Sequence, residues 1–370
     1  MIGKIEGEGK LQRKQTGGSI PDVSLGHIEL YVPDATAASE EFALRYGLTP
    51  LGQLTAPEDD HHSLALGLGT STVVVTEGRT EDHPATAYVR AHGTGVAGIA
   101  LRTEDAAASY AAALAGGAVG TLEPTERDGG VIAAVEGFGD VRHTFVQAPP
   151  GASPRWLPGL GDLPADAPTG TGLERVDHLA VCLEAGQLRP TVRFYQETLG
   201  FDVIFEERIA VGSQAMDSKV VQNPGGDVTL TLIEPDVTAD PGQIDGFLAK
   251  HGGAGVQHIA FATQHIVRTT SDLADRGVEF LSTPDMYYDL LGKRLDPAHH
   301  SVADLRKLNL LADEDHDGQL YQIFTRSTHP RTTLFFEVIE RMGATTFGSG
   351  NIKALYEAVE AEGIADRIPR

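Results

Sequence analysis

The chain has 370 residues, 41% hydrophobic and 22% charged, a composition that suits two globular domains, each able to bury its own core. Its formal net charge of −23 argues against nucleic acid or an anionic membrane as partner, because either would repel so acidic a surface. The single cysteine, Cys182, rules out an internal disulfide, and neither a signal pattern at Met1-Ile2-Gly3-Lys4 nor an apolar run of about 18 residues occurs, so a soluble, cytoplasmic protein is expected.

Residues 1–20 are polar and glycine-rich and predict a loose arm. A first unit follows over 21–150, and Ala148-Pro149-Pro150-Gly151 opens a Pro/Gly/Asp-rich linker over 151–172. The second unit runs from 173 to 370 and closes with a terminal helix. The two units repeat each other. Gly26-His27-Ile28-Glu29-Leu30-Tyr31-Val32 returns as Val176-Asp177-His178-Leu179-Ala180-Val181, and Gly95-Val96-Ala97-Gly98-Ile99-Ala100-Leu101 returns as Gly255-Val256-Gln257-His258-Ile259-Ala260-Phe261. Each copy runs through a helix-like stretch to a glycine and an apolar residue, Gly47-Leu48 and Gly200-Phe201. A repeat of this length implies duplicated modules.

Within the second unit, Val176–Leu183 is apolar and β-branched and predicts a buried strand. After Pro190 the spacing turns helical, with Leu188, Val192, Tyr195 and Leu199 on one face. Val228–Ile233, Val256–Ala262 and Leu334–Ile339 predict further strands, with a helix from about Ile266 to Arg276. The order is β-α-β-β-β, repeated in pairs: an α+β fold whose sheet curls around a central site.

Three side chains interrupt these apolar strands: His178, His258 and Glu337. Glutamate is rarely buried unless paired or bound to a metal, and Glu337 stands inside Leu334-Phe335-Phe336-Glu337-Val338-Ile339. Two neutral imidazoles and one carboxylate leave three octahedral positions open, the donor set of non-haem Fe(II) oxygenases. A lone strand histidine is more often a hydrogen-bonded core residue, and His27, without partners at the corresponding place, is read as structural. Gly98 replaces His258 in the first unit, so that unit is expected to be metal-free. Cys182 reads as a buried inert thiol, and His61-His62 and His299-His300 as solvated loop residues.

The second unit resembles the vicinal-oxygen-chelate fold and, within it, the 4-hydroxyphenylpyruvate dioxygenase and 4-hydroxymandelate synthase family. The matching motifs are Val176-Asp177-His178, Gly255-Val256-Gln257-His258-Ile259-Ala260, Pro284-Asp285-Met286-Tyr287-Tyr288, Gln322-Ile323-Phe324-Thr325, Leu334–Ile339 and Phe347-Gly348-Ser349-Gly350-Asn351. They cover most of 173–360 in order; the first unit resembles the family only through the repeat. The resemblance implies two tandem domains of paired βαβββ modules, with His178, His258 and Glu337 as Fe(II) ligands. It places Ser218, Gln243, Gln257, Gln322 and Phe324 in the substrate pocket, with 4-hydroxyphenylpyruvate and O2 as substrates. No 2-oxoglutarate is implied, because the substrate carries its own α-keto acid.

Family members make either homogentisate, by attack on the ring, or 4-hydroxymandelate, by benzylic hydroxylation. Where the dioxygenases carry a Phe after Gly350-Asn351, this chain has Ile352. Where they read Pro-Leu-Asn ahead of Glu234-Pro235, it has Thr231-Leu232-Ile233. Smaller or branched side chains there should let the ring sit differently and expose the benzylic hydrogen, which points to the synthase. Ile352 is also the first apolar residue of an amphipathic helix with Leu355, Tyr356 and Val359. Gly348, Gly350 and Asn351 give that helix a hinge and a cap, so it is expected to close over the site as a lid. Extradiol catechol cleavage and a non-catalytic binding module are the competing classes; oxygen uptake separates the second from any oxygenase. A homodimer is compatible with the sequence.

Overall fold

The computed structural model describes residue 20 and residues 22–54, 60–348 and 350–354. The expected N-terminal arm (apart from Ile20) and the terminal helix beyond residue 354 lie outside them. Two eight-stranded sheets are present. The first comprises β1 (Ser24–Tyr31), β2 (Thr49–Leu54), β3 (His61–Leu68), β4 (Ser71–Gly78), β5 (Gly95–Arg102), β6 (Gly120–Arg127), β7 (Gly130–Glu136) and β8 (Arg142–Gln147). The second comprises β9 (Arg175–Cys182), β10 (Asp202–Val211), β11 (Gln214–Gln222), β12 (Thr229–Pro235), β13 (Gly255–Ala262), β14 (Leu311–Glu314), β15 (Gln319–Phe324) and β16 (Phe335–Met342).

The strand orders are β2-β3-β4-β1-β5-β8-β7-β6 and β10-β11-β12-β9-β13-β16-β15-β14, the same order twice with each number raised by eight. The duplication extends to direction: β1 and β9 run parallel to β4 and β12 and antiparallel to β5 and β13. Helices α1 (Ala35–Glu41) and α4 (Leu188–Arg193) each continue into a wider π-type turn, Phe42–Tyr46 and Phe194–Thr198. The chain then reverses through Gly47 and Gly200, at φ 71° and 70°, where a side chain would be strained. These are the two glycines that the repeat singles out.

Further along, α2 (Pro84–His92) and α3 (Ala106–Ala115) are matched by α5 (Gln243–His251) and α6 (Ile266–Asp275). The second unit alone inserts α7 (Asp285–Arg294) and α8 (Val302–Lys307) before β14. The predicted helical face over 188–199 is present, with Leu188, Val192, Tyr195 and Leu199 all buried.

Alternation along the strands decides which side chains meet. Ile28, Leu30, Ile99 and Leu101 from the first sheet, and Leu179, Val181, Ile259 and Phe261 from the second, belong to one continuous core that also takes in helix residues such as Ala106, Ile266 and Leu273. The opposite face of the second sheet, carrying His178, Ala180 and Cys182, curls into a cup. Phe336 shows the division: it packs against Phe42, Tyr46 and Phe261 in the core, while its neighbours Phe335 and Glu337 face the cup. Among the described residues no helix is long and apolar enough to cross a membrane.

Three expectations need correction. The two units do not bury separate cores: the inner faces of both sheets meet in the one core just described. His61 and His62 are not loop residues but lie in β3, half-buried, with His61 Nδ1 2.6 Å from Asp60 Oδ1. His300 is half-buried, its Nε2 2.6 Å from a carboxylate oxygen of the buried Glu340, whereas His299 is exposed. Polar flanking residues hid the first pair's alternation with Leu64 and Leu66, and the partner of His300 is 40 residues away.

Candidate metal centre

His178 sits on β9, His258 on β13 and Glu337 on β16, three adjacent strands. Register brings them together, because Ala260 pairs with His178 on one side and with Glu337 on the other, while His258 pairs with Ala180. Their ligand atoms all lie within 4.8 Å of one another. Both imidazoles turn Nε2 towards Glu337 Oε2, at 3.3 Å from His178 and 3.2 Å from His258. Glu337 Oε1 and His258 Nδ1 are buried without a hydrogen-bond partner.

Two β-bulges shape this geometry. The register of β9 against β13 shifts at Val256/His258 and at Ala260/Phe261, which leaves Gln257 and Asp177 as extra residues. A bulge re-aims a side chain. Asp177 Oδ1 lies 2.8 Å from His178 Nδ1, so that nitrogen is engaged and Nε2 is left for a metal. Arg341 holds Asp177 from the other side, with Nη2 donating to Oδ1 at 2.8 Å and Nε to Oδ2 at 3.0 Å. The same guanidinium donates to Thr346 O at 2.6 Å and lies over the Phe347 ring, whose edge stands against His178.

Burial pushes the Glu337 carboxyl up and both imidazoles down, but the ionic neighbours alter the balance. His178 and His258 together hold Glu337 down to about 2, and Glu337 and Asp177 carry His178 up to about 9, while His258 stays below its ordinary value. A carboxylate kept ionised at 2% exposure needs a cation, and a proton on His178 supplies one. A divalent metal bound by one carboxylate and two neutral imidazoles would replace that proton, so the donor set fits Fe(II).

The cup collects most of the expected pocket residues. Ser218 and Thr231 are 6% and 8% exposed, and Ser218 pairs with Ile233 across β11 and β12. Thr231 Oγ1 and Gln322 Oε1 are buried and unpartnered. Phe324 stands edge-on to His258 at 5.7 Å. Gln257 is half-buried at its bulge, Gln243 is exposed as the first residue of α5, and Ile352 is half-buried.

Gly348, at φ 72°, backs onto the Gln322 amide, and Asn351 is wholly buried, its Oδ1 accepting from Tyr287 Oη at 2.7 Å and Arg294 Nη2 at 3.1 Å. Gly350 lies against the Asp313 carboxylate. Asp177, Arg341, Tyr287 and Arg294 were not singled out from the sequence. Asp177 and Tyr287 both stand in motifs quoted above, which was the available signal; for Arg341 and Arg294 the sequence offers none.

The corresponding place in the first sheet is built differently. His27, Gly98 and Thr144 occupy the ligand positions by register. Arg142 Nη2 donates to Glu29 Oε2 at 2.8 Å, and Thr76 Oγ1 donates to Glu29 Oε1 at 2.8 Å. A Cβ on Gly98 would meet Glu29 Oε2 at 3.3 Å and Arg142 Cγ at 3.9 Å, so this ion pair fills the room of the missing histidine. Burial raises the Glu29 carboxyl, and Arg142 reverses this and holds it low; burial lowers His27 to about 4.

Comparison with known proteins agrees with this duplication. Family models described as the Glyoxalase/Bleomycin resistance protein/Dioxygenase superfamily match residues 26–134 and 175–323. The chain is 34% identical over 288 residues to a 4-hydroxyphenylpyruvate dioxygenase of Xenopus tropicalis, covering 73% of each chain. It is 29% identical to that of Yarrowia lipolytica over 91% of each. A solved structure of a triple mutant of 4-hydroxymandelate synthase from Streptomyces coelicolor is 43% identical, with a TM-score of 0.79, covering 93% of this chain and 99% of that one.

Proposed function

The chain belongs to the family of 4-hydroxyphenylpyruvate dioxygenases and 4-hydroxymandelate synthases, and from that premise we propose that it converts 4-hydroxyphenylpyruvate and O2 to 4-hydroxymandelate and CO2 with Fe(II) held by His178, His258 and Glu337. Bound there, iron would supply redox chemistry with O2 and a Lewis-acidic template for the α-keto acid. The protein's own contributions are positional. Asp177 and Arg341 fix the ring of His178, while Phe324, Phe335 and Phe347 surround the imidazoles with apolar edges and exclude water.

The observation that carries the choice of product is the pair Thr231 and Ile233, on the cup face of β12 two residues apart, between the strand of the candidate ligand His178, β9, and Ser218 on β11. An apolar Ile233 leaves a ring nothing to hydrogen-bond at that position, and its branch limits how flat the ring can lie. Both favour presenting the benzylic carbon, not the ring, to the metal. On this reading the product feeds 4-hydroxyphenylglycine into peptide antibiotics, in the cytoplasm.

Fe(II)-loaded protein under ascorbate in air, given 4-hydroxyphenylpyruvate, should yield 4-hydroxymandelate by chromatography against standards. Homogentisate, an isomer that mass alone does not distinguish, would assign the chain to the dioxygenases and make Thr231 and Ile233 packing residues. Metal-stripped protein should be inactive.

A further inference from the structure

Glu207 lies on β10 and pairs with Ser218, which pairs in turn with Ile233. Its face is fixed by its neighbours in the alternation. Phe205, two residues before, touches Phe347, which stands against His178. Ile209, two residues after, packs against the cluster of Cys182, Met216 and the α5 residues Ile244 and Phe247, as Ile233 also does. Glu207 therefore points into the cup between two side chains that already line it. Its Oε2 is buried and has no hydrogen-bond partner. The cations nearest along the strands, Arg208 and Lys219, are engaged by Asp236 and Glu206 at positions of the opposite parity.

A buried carboxylate oxygen left unpaired is costly, and a carboxylate can only accept. At about 4.8 Å per strand, Ser218 lies roughly 10 Å across the sheet from the strand that carries His178, with Glu207 one strand further on a surface that curls back over the cup. That is the end of the cup away from the metal. We propose that Glu207 is a specificity-determining residue: its carboxylate accepts a hydrogen bond from a hydroxyl group on the far end of the aromatic ring, with the Ser218 hydroxyl beside it. The inference rests on the aromatic 2-oxo acid reading above and adds how the ring hydroxyl is selected. A ring without the hydroxyl leaves the carboxylate dehydrated and unpaired, so it is rejected by a loss on the protein side.

The test compares 4-hydroxyphenylpyruvate with phenylpyruvate, both as kcat/KM of the Fe(II) enzyme and as Kd of the Co(II)-loaded enzyme without oxygen, for wild type, Glu207→Leu and Glu207→Gln. Wild type should prefer the hydroxylated acid in both measurements. Glu207→Leu should shrink that preference about 10- to 100-fold, the range of one charge-assisted hydrogen bond, with binding of phenylpyruvate unchanged or tighter. Glu207→Gln keeps an acceptor and should lie between, which separates recognition from a folding defect. A Leu variant that retains the wild-type preference within twofold overturns the assignment alone. Wild-type protein that binds neither acid overturns both the assignment and the proposed function.

Discussion

Glu337 stands among apolar residues in sequence and beside two imidazoles in space, and only the second environment accounts for its charge. His143 shows the opposite case, a buried imidazole that stays neutral. It is 1% exposed, its Nε2 lies 2.8 Å from Tyr195 Oη of the second unit, and burial lowers it from 6.5 to about 4. The unfolded chain takes up this proton below pH 6.5 and the folded one only near 4. The stability from a neutral His143 is thus fully present above 6.5, is lost as pH falls from 6.5 to 4, and changes no further below. The loss approaches about 3 kcal/mol at most. Urea unfolding between pH 7.5 and 4 should show His143→Phe weaker than wild type at pH 7.5 and closing that gap by pH 4.5. A gap constant with pH would mean that His143 is solvated.

At the level of elements, strands and paired modules were legible because apolar runs and helical spacing are local signals. The bulges at Asp177 and Gln257 were not, since a register shift is a relation between two strands. Nor was the insertion α7–α8, whose value lies in holding a distant segment: Tyr287 and Arg294 both bond Asn351. The hinge and lid expected of Gly348, Gly350 and Asn351 can be put to the test at the first of them. A Cβ at Gly348 would lie 2.4 Å from Gln322 Oε1 and would need φ 72°. Gly348→Ala should therefore cost about 1–2 kcal/mol in urea unfolding, from strain that an L side chain meets at positive φ. It should also weaken 2-oxo acid binding to the Co(II) enzyme by displacing Gln322; unchanged binding would place Gln322 outside the pocket.

Across the whole molecule the two sheets share one core, and Phe336 joins them, 5% exposed between Phe42 and Tyr46 of the first unit and Phe261 of the second. Truncation to Phe336→Ala should cost about 3–5 kcal/mol. Calorimetry should still show a single transition at lower temperature; two transitions would mean that the units fold independently. The repeat made the two units legible but not the core they share, because either face of β1 or β9 could have been buried on the evidence of Gly26–Val32 and Val176–Val181 alone.

Arg142 gives the duplication a further meaning. Both sheets set a carboxylate on the same face of the same central strands, half-buried Glu29 in one and buried Glu337 in the other, and each has a positive neighbour. In the first sheet that neighbour is tethered to the backbone and cannot leave. In the second it is a proton on His178, or, on the reading proposed above, a metal that would be taken from solution. If that reading holds, one half of the protein is indifferent to the supply of metal and the other half answers to it, although the two were drawn to the same plan.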